Sequence, residues 1–436
     1  MRQNASILVG LLWCLALLSV MAVGVLHTAR LDLLVGKNYS DRIQAHYLAL
    51  AGIEKARALL YQNALDRSHS RKSHNGQLYN APDKFRDQPL GRGIFRVVRR
   101  AGQEEGGGIF YGVSDEESRL NLNTATTDEL NGLRGMTPDV LAAIDGWRGG
   151  TTLTTGAAEG DYYAALKPPA RPRGGPFQTV RELLMVRGID AEAFYGRDQH
   201  QNGLLETTGE TGGEFAVPGP VEPEDFGWSG LLTVNSLVNN VNAAGDERVN
   251  IQTADEPTLS GLPGVTAPIA HAIVNYRGQQ QFKSTVDLLE VTAASGPGRN
   301  RNSGGAKVVS PDLFTDIADD VTISTDSTQA GAVNLNTASQ EVLICLPGVS
   351  RELAHAIIAQ RQSNGYFNNL GELLKVDGMT PDELKQVAPL VTLRSETYRI
   401  LSEGRVTSTG VRQRIQTIVH VGLNELQTLA WREDDL

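Results

Sequence analysis

Histidine and aspartate are the side chains of this 436-residue chain whose spacing could support metal chemistry. His271 and His355 each lie seven residues after a glycine in two copies of a repeated segment, and the third copy has alanine there. A histidine at such a helix position more often faces solvent than binds metal, so we interpret both as structural. Four carboxylates could supply calcium ligands but do not follow EF-hand spacing: Asp316, Asp319, Asp320 and Asp326.

Catalytic motifs are missing from the sequence. It contains no Gly-x-Ser-x-Gly, His-Glu-x-x-His, phosphate-binding loop or dinucleotide fingerprint. The two cysteines, Cys14 and Cys345, allow one disulfide at most and no cysteine metal site. We therefore expect a protein that is not an enzyme.

One sequence element occurs three times, opening at Asn121, Asn250 and Asn334. In each copy a glycine follows at +14 and an arginine 13 residues later. Threonine at +3 is expected to N-cap a first helix, and the glycine permits the left-handed backbone of a tight turn before a second helix. Two copies end in a second such glycine, so the unit is a tandem helix-hairpin-helix. The predicted hairpin glycines are Gly135, Gly188, Gly264, Gly348 and Gly378.

Helix-hairpin-helix units often bind DNA, because the turn and the following helix present N–H groups to phosphate. That use normally needs a second glycine in the turn and nearby basic residues, and the three first hairpins lack that glycine. With 40 Lys+Arg against 50 Asp+Glu, the net charge of −10 also repels nucleic acid. We expect hairpins that pack rather than bind DNA, with a DNA receptor as the alternative.

The N-terminal residues predict a membrane anchor. The run from Ile7 to Leu26 contains no charge and is long enough to span a hydrocarbon core of about 30 Å. The basic residue precedes it, so the positive-inside rule places the rest of the chain outside the cytoplasm, in the bacterial periplasm. A cleaved signal peptide is the alternative, but its apolar core would be shorter. Because no proline occurs before Pro82, we predict one helix from about Ser6 to about Leu65.

Short segments rich in branched and aromatic residues lie on both sides of the repeats, which predicts a small antiparallel sheet into which the helical region is inserted. The fold class is therefore α+β, with a long anchor and stem helix on a small sheet and a large, mostly helical insertion. Between the repeats, residues 149–176, 201–247 and 293–309 are expected to be loops or an acidic connector with one ordered piece near Trp228. The predicted strands cover residues 94–98, 109–113, 397–401 and 415–421.

The N-terminus resembles that of type IV pilin-like proteins, in which a basic leader is removed just before the apolar helix. Here Ala5 would end the leader, with Asn4 as the alternative, and cleavage after Ala5 makes Ser6 the first mature residue. The fifth mature residue is then Gly10, where pilins usually have glutamate. Together with the Ala51-Gly52-Ile53-Glu54 segment, the stretch at 114–123 and the inserted repeats, the chain resembles the minor pseudopilin K (GspK) family of type II secretion systems.

This resemblance implies a single-pass inner-membrane protein, processed by a prepilin peptidase, that caps a periplasmic pseudopilus with minor pseudopilins I and J. Members of the family can bind calcium in the inserted domain, although the resemblance maps no ligands onto this chain. The partner-binding stem is predicted at Ile43, Leu48, Ile53 and Leu60. The implied parts are a leader at 1–5, a transmembrane helix at 6–27, a stem at 28–65, a pilin-like domain at 66–118 and 396–436, and an inserted domain at 119–395.

Overall fold

The computed structural model describes residues 3–70, 76–149, 162–196, 198, 227–293, 306–422 and 426–433. Residues 201–226 of the predicted acidic connector therefore lie outside the described residues, as do residues 150–161 and 294–305 of the other two predicted loops.

A single long helix, α1, runs from Gln3 to Ser70, five residues beyond the predicted end of the stem. Within the described chain it supplies the one helix long and apolar enough to cross a membrane, over Ile7–Ser70. Residues 7–40 are exposed, whereas from Asp41 onward one face of the helix is buried. The helix thus has an exposed anchor and a stem that packs on the body of the protein.

The stem lies on an antiparallel sheet, as the sequence predicts. The sheet order is Gln88–Leu90, Gly93–Arg100, Thr397–Val406, Arg412–Val421 and Leu426–Arg432. The long strand that precedes the insertion, Gly93–Arg100, is hydrogen-bonded to the first long strand after it, Thr397–Val406, although about 300 residues separate them. The helical region is therefore an insertion between two neighbouring strands. The strands are β1 (Gln88–Leu90), β2 (Gly93–Arg100), β3 (Ile109–Phe110), β4 (Ser114–Asp115), β5 (Thr397–Val406), β6 (Arg412–Val421) and β7 (Leu426–Arg432), with a short helix α2 at Pro82–Phe85.

A glycine lets the stem approach the central strand closely. A Cβ atom on Gly404 of β5 would lie 2.1 Å from the carbonyl oxygen of Ala45 and 2.4 Å from the amide nitrogen of Ala49. Side chains from α1, β2, β5 and β6 then form the small core of this domain, including Ile53, Val97 and Ile400. The contact is too close for any other residue type at position 404 without a shift of the helix.

The inserted domain consists of three units, each closed by a short parallel strand pair. Unit 1 pairs Leu120–Asn121 with Leu232–Thr233, unit 2 pairs Val249–Asn250 with Val321–Thr322, and unit 3 pairs Val333–Asn334 with Val391–Thr392. These pairs were not predicted, because two-residue strands leave no periodic pattern. The helices are Thr127–Asn131, Pro138–Trp147, Ala191–Tyr195 and Trp228–Leu231 in unit 1, Glu256–Ser260, Ala267–Gln279 and Pro311–Ile317 in unit 2, and Gln340–Leu343, Arg351–Asn364 and Pro381–Val387 in unit 3.

Further short elements complete the insertion. Thr328–Ala330 pairs antiparallel with Leu237–Asn239, which links unit 1 to unit 3. Each unit also has a six-residue 3₁₀ helix that begins its second hairpin. The 3₁₀ helices are Val180–Met185, Thr285–Glu290 and Leu370–Lys375, with shorter ones at Gln103–Glu105 and Ala388–Leu390.

The predicted N-caps were wrong by two residues. Instead of Thr124, Thr253 and Thr337, the caps are the residues at +5 from each opening Asn, namely Thr126, Asp255 and Ser339. The cause is the opening Asn, whose side-chain oxygen accepts a hydrogen bond from the amide two residues later, at 2.9–3.0 Å in all three units. The amides at +3 and +4 then donate to the carbonyl of the same Asn, so the threonine at the predicted cap position lies inside this opening turn and the helix begins after it.

Candidate assembly site: stem, hairpins and domain junction

The stem exposes a face different from the predicted one. Leu48, Ile53 and Leu60 are buried against the protein's own sheet, so the prediction that they contact a partner was wrong, and only Ile43, at 42% exposed, faces outward. Apolar residues at helical spacing identified the buried face, but spacing does not say what covers it. The outward face carries aromatic and aliphatic side chains that the sequence did not identify as a contact surface: Tyr39, Tyr47, Tyr61 and Leu65.

The five predicted hairpin glycines all lie at turns with a left-handed backbone. Their φ values are between 72° and 85°, a region in which a side chain is strained. The helices that follow the first hairpins begin as predicted, with Pro138 and Pro268 in their first turns and Ser350 as an N-cap.

The repeated arginine holds each hairpin closed. In unit 1 the Arg148 Nη1 donates to the carbonyl oxygens of Leu122 and Ala125 at 3.1 and 2.8 Å, and in unit 2 Arg277 does the same to Ile251 and Ala254. In unit 3 Arg361 donates to Leu335 at 2.7 Å. The spacing in the sequence located these arginines, and the structure gives them a structural role in satisfying carbonyls of the opening turn.

A second recurring contact joins the two hairpins of a unit. The side-chain oxygen of Asn123 accepts from the amide of Phe177 at 2.7 Å, and its Nδ2 donates to the same residue's carbonyl at 2.9 Å. Asn336 and Phe367 repeat both contacts in unit 3. The recurrence of this asparagine and phenylalanine at fixed places in the repeat is the sequence signal of the contact.

In units 1 and 3 the helix N-termini after the first hairpins present few free groups to an anion. Thr137 and Ser350 accept from the amides of Val140 and Leu353, which occupies one of the donors that a phosphate would use. Acidic residues also lie in these first turns, at Asp139 and Glu352. The first hairpins of units 1 and 3 are therefore poorly suited to a phosphate backbone, whereas the unit 2 helix has neither a side-chain cap at Thr266 nor an acidic residue in its first turn.

Three of the six candidate metal residues, His271, Asp319 and Asp320, bond to protein groups. His271 Nδ1 lies 2.8 Å from Glu256 Oε1 on the surface of unit 2. Asp319 accepts from Arg248 Nη2 at 2.8 Å and from the amide of Ala243 at 2.6 Å. Within the described ranges, no three histidine, cysteine or acidic side chains converge as metal ligands would.

The junction of the sheet with the insertion contains buried carboxylates that the sequence did not identify as a site. Glu117, fully buried, accepts from the amides of Thr397 at 3.1 Å and Leu237 at 3.2 Å. Asp115 accepts from Asn334 Nδ2 at 2.9 Å and from the Thr337 hydroxyl. Residues 115–117 lie where the chain passes from the sheet into the insertion, and Thr397 lies where it returns to the sheet. These bonds connect the two places with each other, with the linker after unit 1 and with the opening of unit 3.

Adjacent Glu116 lies in a contrasting environment. Its Oε1 lies 2.6 Å from Arg399 Nε and accepts a hydrogen bond from Arg119 Nη1 at 3.2 Å, while its Oε2 accepts one from Arg399 Nη2 at 3.2 Å. Burial raises the pKa of Glu116, but the two arginines more than offset this and hold the pKa below its ordinary value. For Glu117, burial and then the Asp115 carboxylate raise the pKa well above the ordinary value.

The stem reaches the same junction. Arg67 Nη1, near the end of α1, donates to the carbonyl of Ser395 at 3.4 Å, and its Nη2 lies 3.6 Å from Glu396. Glu396 also accepts from the amide of Asn239 at 2.7 Å. The junction therefore holds the stem, the sheet and the insertion in one buried polar network.

Comparison with known proteins gives two family matches. Residues 143–195 match the model for type II secretion system protein K, and residues 245–293 and 328–392 match the helix-hairpin-helix motif. The resemblance to protein K with helix-hairpin-helix repeats is thereby confirmed. These matches support a pseudopilin role in type II secretion.

Two curated relatives match a minor part of the chain. An endonuclease/exonuclease/phosphatase family domain-containing protein 1 from Xenopus laevis is 33% identical over 151 residues, 32% of this chain and 26% of the relative. ComE operon protein 1 of Bacillus subtilis is 32% identical over 72 residues, 16% of this chain and 35% of the relative. The chain thus spans about a third or less of these relatives.

Among solved structures, the GspK-GspI-GspJ complex from the type II secretion system of enterotoxigenic Escherichia coli contains a similar chain. The TM-score is 0.42 at 12% identity, with 90% of this chain and 97% of the other covered.

Proposed function

We propose that this chain is a non-enzymatic minor pseudopilin that initiates and caps a periplasmic pseudopilus. The observation that carries the proposal is where the insertion lies along the stem. The turn between β5 and β6 contacts the stem at Asp41, whereas the insertion joins the sheet where Arg67 contacts Ser395. These points are 26 residues apart, or about 39 Å along a helix, so the insertion lies at the end of the body far from the anchor.

Bulk at that end supports a capping role. A subunit added above this one would have to pack its stem beyond the end of α1, where the three units of the insertion lie. Gly10 offers no carboxylate at the position where pilin-like subunits usually carry one to neutralise the amine of the neighbouring subunit below. A subunit that begins and caps the filament has no need of this carboxylate.

The outward face of the stem is the proposed contact for minor pseudopilins I and J. Tyr39, Ile43 and Tyr47 are spaced four residues apart, so they lie on one side of the helix. They are exposed and begin at the membrane side of the sheet, where the stem of a neighbouring subunit would run parallel. Aromatic side chains supply large contact area at low entropic cost.

Co-purification of the full chain with the two minor pseudopilins tests this surface. Ile43→Glu with Tyr47→Glu should abolish the complex, because two charges would be buried in an apolar contact. Leu90→Glu, at an exposed apolar position on β1, is the matched control and should leave the complex intact. If both variants form the complex equally well, the outward face of the stem is not part of the interface.

Processing provides a separate test. Co-expression with a prepilin peptidase should shorten the chain by about five residues and leave Ser6 at the N-terminus, which intact-mass measurement would detect. An unprocessed Met1 would contradict the pilin-like assignment, and a new terminus near residues 24–28 would indicate a signal peptide.

A membrane-anchored DNA receptor is the second candidate, favoured by the hairpins and by the similarity to ComE operon protein 1. Duplex binding measured with the full chain in detergent at about 150 mM salt distinguishes the two. The capping proposal predicts weak binding that disappears as salt rises. Submicromolar binding that Thr266→Asp and Ser350→Asp weaken would favour the receptor.

A further inference from the structure

Exposed large apolar side chains in the insertion occur only in unit 1, among the described residues. They are Tyr162, Leu166, Leu184 and Met185. Arg187, two residues after Met185, connects this segment to the one that contains Tyr162 and Leu166. Its guanidinium lies 5.9 Å from the Tyr162 ring, and its amide donates to the Tyr163 hydroxyl at 3.0 Å. We call this surface, with Lys167 at its edge, the unit 1 face.

Units 2 and 3 show what covers the same face when a neighbour is present. Helix Pro381–Val387 of unit 3 packs on the 3₁₀ helix Thr285–Glu290 of unit 2, and helix Pro311–Ile317 of unit 2 packs reciprocally on Leu370–Lys375 of unit 3. Leu289 is consequently 5% exposed, whereas Leu184, at the same repeat position in unit 1, is 36% exposed. Met185, the next residue, is 55% exposed.

The charge of the covering helix complements the face that it covers. At the unit 2 face, Lys385 Nζ lies 2.5 Å from Asp287 and 3.1 Å from Glu290. The unit 1 face has the opposite charge, since residues 162–189 contain five basic residues and one acidic residue, Glu182, in a chain of net charge −10. Glu182 is itself paired with Arg173 at 3.1 Å.

We propose that the unit 1 face docks an acidic amphipathic helix of a partner protein, in the way that Pro381–Val387 packs on unit 2. Apolar side chains of that helix would cover Leu184 and Met185, and its carboxylates would pair with Lys167 and Arg187. A second copy of this chain fits poorly as the occupant, because it would bring the same basic surface to the contact. This contact is separate from the stem and does not depend on which subunits the stem binds.

Site-specific photo-crosslinking in the bacterial envelope tests the proposal on the full chain. Met185→p-benzoylphenylalanine should form an adduct with a distinct protein, and peptide mapping should place the crosslink on an acidic, apolar helical segment. The matched control carries the same photoreactive group at Lys375, the equivalent and exposed position of unit 3, and should form no such adduct.

Charge substitutions complete the test. Lys167→Glu with Arg187→Glu should lower the adduct yield at least about tenfold, while Lys167→Arg with Arg187→Lys should preserve it. Thermal unfolding of both pairs checks that the fold is kept, because Lys167 is exposed but Arg187 is half-buried and contacts Tyr162. An adduct between two copies, an adduct with the chain's own acidic residues 201–226, or a yield unaffected by charge reversal would overturn the proposal.

Discussion

Two adjacent buried glutamates at the domain junction should respond in opposite ways to loss of their charge. Glu116→Gln removes the counter-charge of Arg399 and Arg119, whose nitrogens lie 2.6 and 3.2 Å from its Oε1. Removing one partner of a buried ion pair costs about 3–5 kcal/mol of unfolding free energy. We expect about 3 kcal/mol here, because the Asp115 carboxylate remains. Glu117→Gln removes a carboxylate that burial and Asp115 already disfavour, so we expect a change within about 1 kcal/mol or a gain.

The pH dependence gives the sign of each effect. The pKa of Glu116 is depressed in the folded state, so its contribution is present above the ordinary value of 4.5 and is lost as pH falls through the folded pKa. The pKa of Glu117 is raised, so its contribution is present below 4.5 and is lost as pH rises through the folded pKa. Glu116→Gln should therefore be most damaging at neutral pH, and Glu117→Gln should gain relative to the unsubstituted chain as pH rises.

Urea unfolding of the full chain in detergent, followed by fluorescence of the buried Trp147 and Trp228, measures both variants. The two substitutions differ by one position and are matched in size and burial, so each controls for the other. Equal losses at pH 7, or a larger loss for Glu117→Gln, would refute this account of the junction.

Three further predictions concern the repeats and the stem. Gly348→Ala should destabilise the chain by about 1 kcal/mol because its φ is +77°, whereas Gly36→Ala, on an open helical face, should be neutral or stabilising; urea unfolding compares them. Arg361→Met should lower the free energy of unfolding by about 1–3 kcal/mol, because it leaves the Leu335 carbonyl without its donor. In hydrogen-exchange measurements, the amides of the opening turn of unit 3 should be the first to lose protection. Ile53→Ala should cost about 2–5 kcal/mol of unfolding free energy without altering partner affinity once folded, the reverse of what is expected for Ile43→Glu with Tyr47→Glu.

Local patterns in the sequence were sufficient to predict the repeats and the long helix. The Asn, Gly and Arg spacing predicted three hairpins because the turn needs a left-handed residue at one position, and that requirement is local. The insertion was predictable because strand-forming segments lie at both ends of the chain. The N-caps were placed wrongly because Asn121 and its equivalents form an Asx turn that competes with the helix.

Contacts between distant residues were beyond the sequence. Glu117 and Thr397 are 280 residues apart, and nothing in their neighbourhoods indicates that they meet. The stem illustrates the same limit, because the apolar stripe through Ile53 and the aromatic one through Tyr47 both satisfy helical periodicity. Only the position of the sheet determines which of the two is buried within the chain and which faces outward.

The exposed face of unit 1 follows from the number of units. Each unit closes on itself through its own parallel strand pair, so its second hairpin is free to pack on another unit. Because this packing is reciprocal, it covers the second hairpins of two units at once. Units 2 and 3 pack in this way through Thr285–Glu290 and Leu370–Lys375. With three units, one such face is left without an equivalent neighbour in the chain. Polar residues there would suit a face that stays in water, but this position carries Leu184 and Met185 amid basic side chains, which is the composition expected of a surface that is covered in an assembly.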